Sequence, residues 1–237
     1  MDAVQTLKKW VDESSRIVFF GGAGVSTESG IPDFRSVDGL YSQKFEYPPE
    51  MIISHRFYRH KPEYFFRFYR EKMMPLGYLP NVTHKKLAQW EADGKLRAVI
   101  TQNIDGLHQL AGSKQVYELH GSIYRNYCTV CGKFHTAQYV KNCSGVPHCS
   151  CGGIVKPDVA LYDETLDFKT MQDSLDAIRD ADLLIVAGTS LTVYPAAGFI
   201  RHFAGKHMVL INRDATGYDD IADLVIHQSL GSVFSEL

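Results

Sequence analysis

The apolar run at residues 17–20 (IVFF) and the glycine-rich segment that follows it constrain the fold of this 237-residue chain more than any other stretch. Uninterrupted apolar residues bounded by glycine predict a strand that is buried on both faces, as in a parallel sheet. In the next segment, residues 21–36, glycines would let the backbone approach a phosphate. Ser26 and Thr27 are candidate caps for a helix whose N-terminal amides would face that anion. The sequence therefore predicts a nucleotide site directly after the first strand.

The glycine spacing differs from the fingerprint of dinucleotide-dependent dehydrogenases. That fingerprint is followed by a second strand and an acidic residue about 20 positions on, whereas this loop continues into Pro32-Asp33-Phe34-Arg35. On the glycines alone, a purely structural turn is an equal alternative. The chain also contains neither a Tyr-x-x-x-Lys pair nor a Gly-x-Ser-x-Gly elbow. Standard hydride transfer and ester hydrolysis therefore lose support.

Strand and helix patterns alternate along most of the chain. Residues 2–14 form an amphipathic helix pattern with Val4, Leu7 and Val11 on one stripe. Further patterns predict helices at 81–94, 167–180 and 195–204, and Thr83 is a candidate cap of the first. Strands are predicted at 97–100, 116–119, 183–187, 207–211 and 224–226. This alternation predicts an α/β fold built on a parallel, doubly wound sheet.

Residues 38–75 interrupt the alternation with a stretch that is dense in aromatic and basic residues. Aromatic side chains between basic ones can form a stacking platform for nucleic acid. Aromatics at helical spacing more often belong to a core. We therefore interpret the stretch as a small helical insertion that lies over the nucleotide site.

The charge balance and hydropathy limit the partners that this chain can have. Lys and Arg number 25 against 27 Asp and Glu, so the chain lacks the basic footprint of a nucleic-acid binder. Its N-terminus does not resemble a signal peptide, and no apolar run approaches 18 residues. We expect a cytoplasmic monomer that binds neither nucleic acid nor membranes.

The five cysteines all lie between residues 128 and 151, which in a reducing compartment indicates a metal site and not disulfides. Cys128-x-x-Cys131 and Cys149-x-Cys151 approximate the two thiolate knuckles of a tetrahedral zinc site. Four protein ligands leave no open position for a water, so such a zinc would be structural. The second knuckle has one residue between its cysteines where two are usual. The alternative ligands are Cys143, His135 and His148.

Polar side chains follow two of the predicted strands at the point where each strand ends. Asn103 and Asp105 follow the strand at 97–100, and His120 follows the strand at 116–119. The carboxyl ends of parallel strands are where α/β proteins bind ligands. Since the pKa of histidine lies near neutrality, His120 is a candidate for proton transfer there.

Several segments resemble those of the sirtuins, the NAD-dependent protein deacylases. They occur in sirtuin order between about residues 17 and 226, with the paired cysteines among them, and read GAGVSTESGIPDFRS, TQNIDGLHQLAG, ELHGS, KPDVALYDE, AGTSLTVYPAA and INRD. The resemblance implies a Rossmann-like domain made of residues 1–37, 76–124 and 155–237. It also implies a small domain made of the helical insertion at 38–75 and a zinc-binding module at 125–154.

The same resemblance implies an activity. NAD would be consumed as a co-substrate, and acetyl groups would be removed from lysine side chains of other proteins. The products would be nicotinamide, O-acetyl-ADP-ribose and free lysine, formed in a cleft between the two domains. A mono-ADP-ribosyltransferase and a non-catalytic NAD sensor on the same fold remain alternatives.

The resemblance also implies roles for individual residues. His120 would be the catalytic base, and Asn103 would orient a ribose or a water. Positions implied for NAD are Gly22, Ala23, Gly24, Thr27, Asp33, Phe34, Arg35, Gln102, Asn103, Ile104, Asp105, His120, Gly188, Thr189, Ser190, Asn212 and Arg213. Positions implied for an extended peptide are Val159, Leu161, Tyr162 and Val193.

The resemblance finally predicts which acyl group is preferred. Sirtuins that prefer succinyl-lysine or malonyl-lysine carry a Tyr-x-x-Arg pair in the helical insertion. The aligned positions here are Phe66 and Tyr69, so the arginine is missing. Tyr64 and Arg67 spell the pair two residues early, but two residues turn a helix by roughly 200°. We therefore expect small neutral acyl groups as substrates.

Overall fold

The computed structural model describes residues 2–34 and 39–237. Arg35, which the sequence assigns to the NAD-binding segment, lies outside the described residues. Within those residues, no helix combines the length and the apolar character needed to cross a bilayer.

A six-stranded sheet forms the centre of the larger part of the molecule. Its strands are β1 (Ile17–Gly21), β2 (Leu96–Thr101), β3 (Val116–Glu118), β7 (Leu183–Ala187), β8 (His207–Ile211) and β9 (Leu224–Ile226). All neighbouring strands are parallel, in the order β3-β2-β1-β7-β8-β9. Every residue of β1 and β7 is buried. The parallel doubly wound sheet predicted from the sequence is confirmed.

Helices cover both faces of this sheet. On one face lie α1 (Ala3–Glu13), α5 (Val82–Ala92) and α9 (Leu230–Glu236), whose apolar residues pack with Phe19 of β1. On the other face, α8 (Phe168–Asp180) and a 3₁₀ helix (Ala196–His202) pack with Phe20. Successive residues of a strand point to opposite faces, so β1 contributes to both cores.

Three local predictions differ from the structure. Directly after β1 the described residues form two 3₁₀ turns (Ala23–Val25 and Thr27–Ser29) where an α-helix was predicted, and Ser26 makes no side-chain capping bond. The segment predicted as a helix at 195–204 is 3₁₀. The cap of α5 is Asn81 and not Thr83, because the Asn81 side chain accepts from the backbone N–H of Thr83 and of His84.

The smaller part combines two segments that are distant in sequence. The first contains α2 (Pro49–Ile52), α3 (His55–His60), α4 (Pro62–Phe68) and a π-helical turn (Tyr69–Met73). The second contains the antiparallel strands β4 (Gly121–Cys128), β5 (Phe134–His135) and β6 (Val155–Val159), with α7 (Ala137–Asn142). Phe65 and Tyr69 of the first segment share one core with Ile123, Val140 and Val155 of the second. The aromatic stretch therefore forms a core, as predicted.

Between α5 and β4, the short helix α6 (Leu107–Ala111) follows β2. Its first residue, Leu107, donates its N–H to Asp105 Oδ1 at 2.9 Å. The residues after β2 are thus held in place at the carboxyl edge of the sheet.

Candidate functional site

A cavity of about 610 Å³ lies where the carboxyl ends of the central strands meet the smaller part of the molecule. Its volume falls in the range of small-molecule and cofactor sites. The described residues predicted for NAD all line it: Gly22, Ala23, Gly24, Thr27, Asp33, Phe34, Gln102, Asn103, Ile104, Asp105, His120, Gly188, Thr189, Ser190, Asn212 and Arg213. Val159, Leu161, Tyr162 and Val193, predicted for the peptide, line the same cavity.

Asp105 and Asn103 are joined through Ser26. Ser26 Oγ donates to Asp105 Oδ2 at 2.6 Å, and Asn103 Nδ2 donates to Ser26 Oγ at 3.1 Å. All three residues are buried. Burial raises the pKa of Asp105, while the bonds from Ser26 and from the Leu107 N–H act against that rise. The network fixes both polar side chains against the glycine-rich segment.

His120 is held by a carbonyl. Its Nδ1 lies 2.8 Å from the backbone oxygen of Gln102. A carbonyl oxygen only accepts, so Nδ1 carries the hydrogen and the lone pair is on Nε2. Burial lowers the pKa of His120 below its ordinary value of 6.5, and the bond to Gln102 counteracts this in part. A neutral imidazole with a free Nε2 is a competent base at neutral pH.

A second chain of hydrogen bonds links the remaining strand ends. Gln102 Nε2 donates to Thr189 Oγ1 at 2.9 Å, and the Thr189 N–H donates to Asn212 Oδ1 at 3.0 Å. Asn212 Nδ2 is buried and has no partner within the described residues. Buried amide groups without a partner are rare, so this donor indicates a missing ligand group.

The glycine-rich segment approaches the loop after β7 too closely for side chains. A Cβ at Gly22 would lie 2.8 Å from Thr189 Cβ, and one at Gly24 would lie 2.8 Å from Gly188 Cα. Gly188 itself has φ +60°, a conformation that favours glycine. The backbone of this segment is therefore presented bare to the cavity. Bare backbone is what close approach to a pyrophosphate requires.

The segment after β6 forms the opposite wall. The Ala160 N–H donates to the backbone oxygen of His120 at 3.0 Å. Tyr162 makes backbone bonds with the segment that joins α2 to α3: its N–H donates to the Ile53 oxygen at 3.0 Å, and its oxygen accepts from the His55 N–H at 2.9 Å. This wall is thus fixed to the His120 turn on one side and to the helical insertion on the other.

The four cysteines predicted as ligands form one group. The Sγ atoms of Cys128, Cys131, Cys149 and Cys151 lie within 4.8 Å of one another. Individual Sγ–Sγ distances are 3.4 Å for Cys128–Cys151, 3.7 Å for Cys131–Cys149 and 3.4 Å for Cys131–Cys151. Tetrahedral ligands at the usual zinc–sulfur distance are about 3.8 Å apart, so the group fits zinc.

The backbone around this group favours thiolate. The N–H groups of Cys131 and Val130 point at Cys128 Sγ and lower the pKa of that thiol to about 6. A Cβ at Gly153 would lie 2.7 Å from the same sulfur, so only glycine leaves room for it. Among the described residues, Cys143, His135 and His148 do not belong to the metal-binding group.

Several residues of the wall were not predicted from the sequence. Ser26 was interpreted as a cap, yet it bridges Asp105 and Asn103. Lys72 and Met73 reach the cavity from the π-helical turn, and residues 228–230 reach it at the start of α9. Apart from Ser26, these residues carry no local motif, because the packing of distant segments brings them to the wall.

The insertion presents apolar side chains to the cavity. Leu40, Ile53 and Met73 belong to its lining. Phe66 and Tyr69 are fully buried in the core behind that lining. Arg67 is exposed, and its guanidinium lies 4.6 Å from the ring centroid of Tyr64.

Comparisons with known proteins agree on one family. A model described as the Sir2 family matches residues 22–195. An NAD-dependent protein deacetylase of Clostridium acetobutylicum is 61% identical, across 98% of this chain and 97% of that protein.

Solved structures agree with the sequence comparisons. A Sir2 structure with a deacetylated p53 peptide and 3′-O-acetyl ADP ribose has a TM-score of 0.90 at 35% identity, covering 99% of this chain and 96% of that one. A Sir2 structure with a p53 peptide and NAD⁺ has a TM-score of 0.86 at 36% identity, covering 100% and 97%.

Proposed function

The chain belongs to the Sir2 family, and from that premise we propose that it is an NAD-dependent protein-lysine deacetylase. Acetyl groups are removed from protein lysines, and the products are free lysine, nicotinamide and O-acetyl-ADP-ribose. The observation that supports this proposal most directly is the state of His120. Its neutral imidazole and its carbonyl-fixed tautomer provide a base in a cavity lined by both predicted walls.

NAD is the co-substrate, and when bound it supplies a ribose carbon that becomes reactive as its bond to nicotinamide breaks. The bare backbone of Gly22 and Gly24 would hold the pyrophosphate. Thr189 and Asn212 would hold the adenosine half, where Asn212 Nδ2 has a hydrogen to donate. Asp105 would accept from the nicotinamide amide.

His120 takes a proton from a ribose hydroxyl through Nε2. Its bond to Gln102 keeps the ring in the required tautomer. Asn103 Oδ1 has no partner within the described residues, so it can orient a ribose hydroxyl or a water. Phe34 would shield the reacting ribose face, and Ile104 also lines the cavity.

The acetylated peptide would bind to the backbone of residues 159–162 and of Val193, and Asp163 continues the first of these segments. In the described structure, the carbonyl of Ala160 and the N–H and carbonyl of Asp163 have no hydrogen-bond partner. Unpaired backbone groups along a cavity are suited to an extended peptide, which binds by main-chain hydrogen bonds and so tolerates many sequences.

One zinc ion holds the smaller part together. Cys128, Cys131, Cys149 and Cys151 would supply all four ligands, so this site has a structural role and leaves the chemistry to the cavity. Separate hydrophobic cores on the two sides of the cavity support a division into two domains, and the core of the smaller one also contains Ile123 and Val155, which lie outside the module proposed at 125–154. The monomeric state, the cytoplasmic location and the absence of nucleic-acid or membrane partners stay predictions.

The proposal is tested by incubating the zinc-loaded protein with an acetyl-lysine peptide, with and without NAD. Deacetylated peptide, nicotinamide and O-acetyl-ADP-ribose should appear in equal amounts, and only with NAD. A peptide or acceptor protein that gains ADP-ribose and keeps its acetyl group would indicate the transferase instead. NAD binding without any product would indicate a sensor.

A further inference from the structure

Asp163 occupies a backbone conformation that glycine or asparagine normally takes. The Glu164 N–H donates to the Leu161 oxygen at 3.0 Å, which makes residues 161–164 a β-turn with Asp163 at its third position. Asp163 has φ +72°, and among the described residues the one other non-glycine residue with positive φ is Leu191. Such residues are strained and cluster at ligand-binding segments.

The neighbours of Asp163 hold this turn rigidly. The Leu161 N–H donates to Glu164 Oε2 at 2.9 Å, and Glu164 Oε2 also accepts from Lys156 Nζ at 3.0 Å. Tyr162 is bound on both backbone sides to the helical insertion. The position of Asp163 is therefore determined by bonds in which Asp163 takes no part.

The carboxylate of Asp163 is unengaged at the edge of the cavity. It is exposed and lines the cavity, yet no ion pair or hydrogen bond within residues 2–34 and 39–237 involves it. Four other carboxylates on the wall have partners, namely Glu28, Asp33, Asp105 and Glu164. Asp214 is also unengaged, but it follows Arg213 on the side assigned to adenosine. Asp163 thus presents the free negative charge beside the peptide segment.

We propose that Asp163 selects acetyl-lysine segments that carry a lysine or arginine close to the acetylated residue. This inference rests on the deacetylase function proposed above. A peptide whose backbone bonds to the free N–H and carbonyl of Asp163 brings its neighbouring side chains close to this carboxylate. Opposite charges within about 4–6 Å attract, so a lysine or arginine there is favoured over an acidic residue.

The expected preference is modest because the carboxylate is exposed. An exposed ion pair changes binding by a factor of up to about five. Main-chain bonds supply the rest of the affinity and are indifferent to sequence. Screening should reduce the preference as salt is added.

The test uses acetyl-lysine peptides in which each flanking residue in turn is Arg, Gln or Glu. The ratio of kcat/KM for the Arg peptide over the Glu peptide should reach about five- to tenfold at one flanking position, in low salt. It should remain near one at positions that point away from Asp163.

Asp163→Asn is the matched variant, since asparagine accepts positive φ as readily as aspartate and lacks the charge. It should reduce the Arg-to-Glu ratio to near one at that position. Asp163→Gly should do the same, and Asp214→Asn should leave the ratio as it is. A ratio retained in Asp163→Asn, or equal to one in the unchanged protein, overturns the inference. Failure to deacetylate any of these peptides would instead refute the proposed function.

Discussion

Arg125 Nη1 lies 2.6 Å from Glu118 Oε2, and Nε of the same guanidinium lies 2.7 Å from Asp158 Oδ2. Glu118 ends β3 of the parallel sheet, and its side chain is 8% exposed. Asp158 belongs to β6 of the antiparallel sheet. His120 lies between the two sheets in the chain, with its oxygen bound by the Ala160 N–H. Arg125 therefore joins the two sheets next to the turn that carries His120, the proposed base.

Arg125→Met should lower the free energy of unfolding by about 2 kcal/mol, because it leaves the buried Glu118 carboxylate without its charged partner. Adding Glu118→Gln to that variant should restore part of the loss, since it removes the uncompensated charge. Urea unfolding of the zinc-loaded protein measures both changes. Equal stability of Arg125→Met and the unchanged chain would show that the pair contributes nothing.

His120→Ala should lower kcat for deacetylation by a factor of roughly 100 or more, the usual scale of a positioned general base. NAD affinity should change much less, because glycine-rich backbone and strand-end residues make up most of the binding wall. The measurements are turnover on an acetyl-lysine peptide and NAD binding by calorimetry. His60→Ala, at an exposed position on α3, is the control. Turnover near that of the unchanged enzyme would refute the assigned base.

The protein should become less stable as the pH is lowered, because two histidines are buried behind the glycine-rich segment. His84 and His108 have ring centroids 4.7 Å apart. His84 Nε2 and both His108 nitrogens have no partner within the described residues. Burial lowers the pKa of His84 to about 4 and that of His108 well below 6.5. Both histidines therefore stay neutral in the folded protein at pH values at which they are protonated in the unfolded chain.

The sign and size of the effect follow from this difference. Stability is fully present above pH 6.5 and decreases towards pH 4, by at most about 1.4 kcal/mol per pH unit for each histidine. The free energy of unfolding should thus drop by about 2 kcal/mol for His84 between pH 7.5 and pH 5. His84→Gln should remove the His84 contribution and leave that of His108, so the dependence becomes shallower, whereas His60→Gln should leave it unchanged. Zinc content is measured at both pH values to separate this effect from metal loss. An unchanged slope in His84→Gln would contradict the assignment.

Cysteine substitutions should act through the fold. Cys128→Ser and Cys151→Ser are expected to release zinc and unfold the smaller part, because a structural zinc supplies folding free energy. Cys143→Ser is the control, since Cys143 lies outside the group of four sulfurs. Metal analysis and circular dichroism report the outcome. Zinc retained in Cys151→Ser but lost in Cys143→Ser would reassign the fourth ligand.

The parallel strands were predictable because their apolar runs are buried on both faces and need no knowledge of distant residues. The polar residues at their carboxyl ends were also predictable, because each directly follows its apolar run in the sequence. The turns after β1 were not, because Ser26 donates to Asp105, which lies 79 positions further along the chain. Helix α9 was not predicted either. Its start is held by Glu28, which accepts from the Gly231 N–H at 2.9 Å, and Phe234 packs against Phe19.

Which acyl group the enzyme prefers depends on the side chains that contact the distal end of that group, and the insertion places apolar side chains there. Leu40, Ile53 and Met73 line the cavity, while Phe66 and Tyr69 lie in the core behind it. Burying an unpaired carboxylate among such groups costs several kcal/mol. At about 1.4 kcal/mol per tenfold change, acetyl-lysine should exceed succinyl-lysine in kcat/KM by roughly a hundredfold or more.

Lys72 is the cation on the insertion side of the described cavity wall, and its ammonium donates to Gln43 Oε1 at 3.0 Å. If that bond holds in the enzyme–substrate complex, Lys72→Met should leave the acetyl-to-succinyl ratio high. Matched peptides that differ only in the acyl group measure the ratio. The unchanged enzyme could instead show comparable kcat/KM on the two peptides, with Lys72→Met losing activity only on the succinyl-lysine peptide. That result would show that Lys72 leaves Gln43 to bind the carboxylate. If kcat/KM on the two peptides is comparable in the unchanged enzyme and also in Lys72→Met, the alignment that places Phe66 and Tyr69 at the Tyr-x-x-Arg positions is wrong.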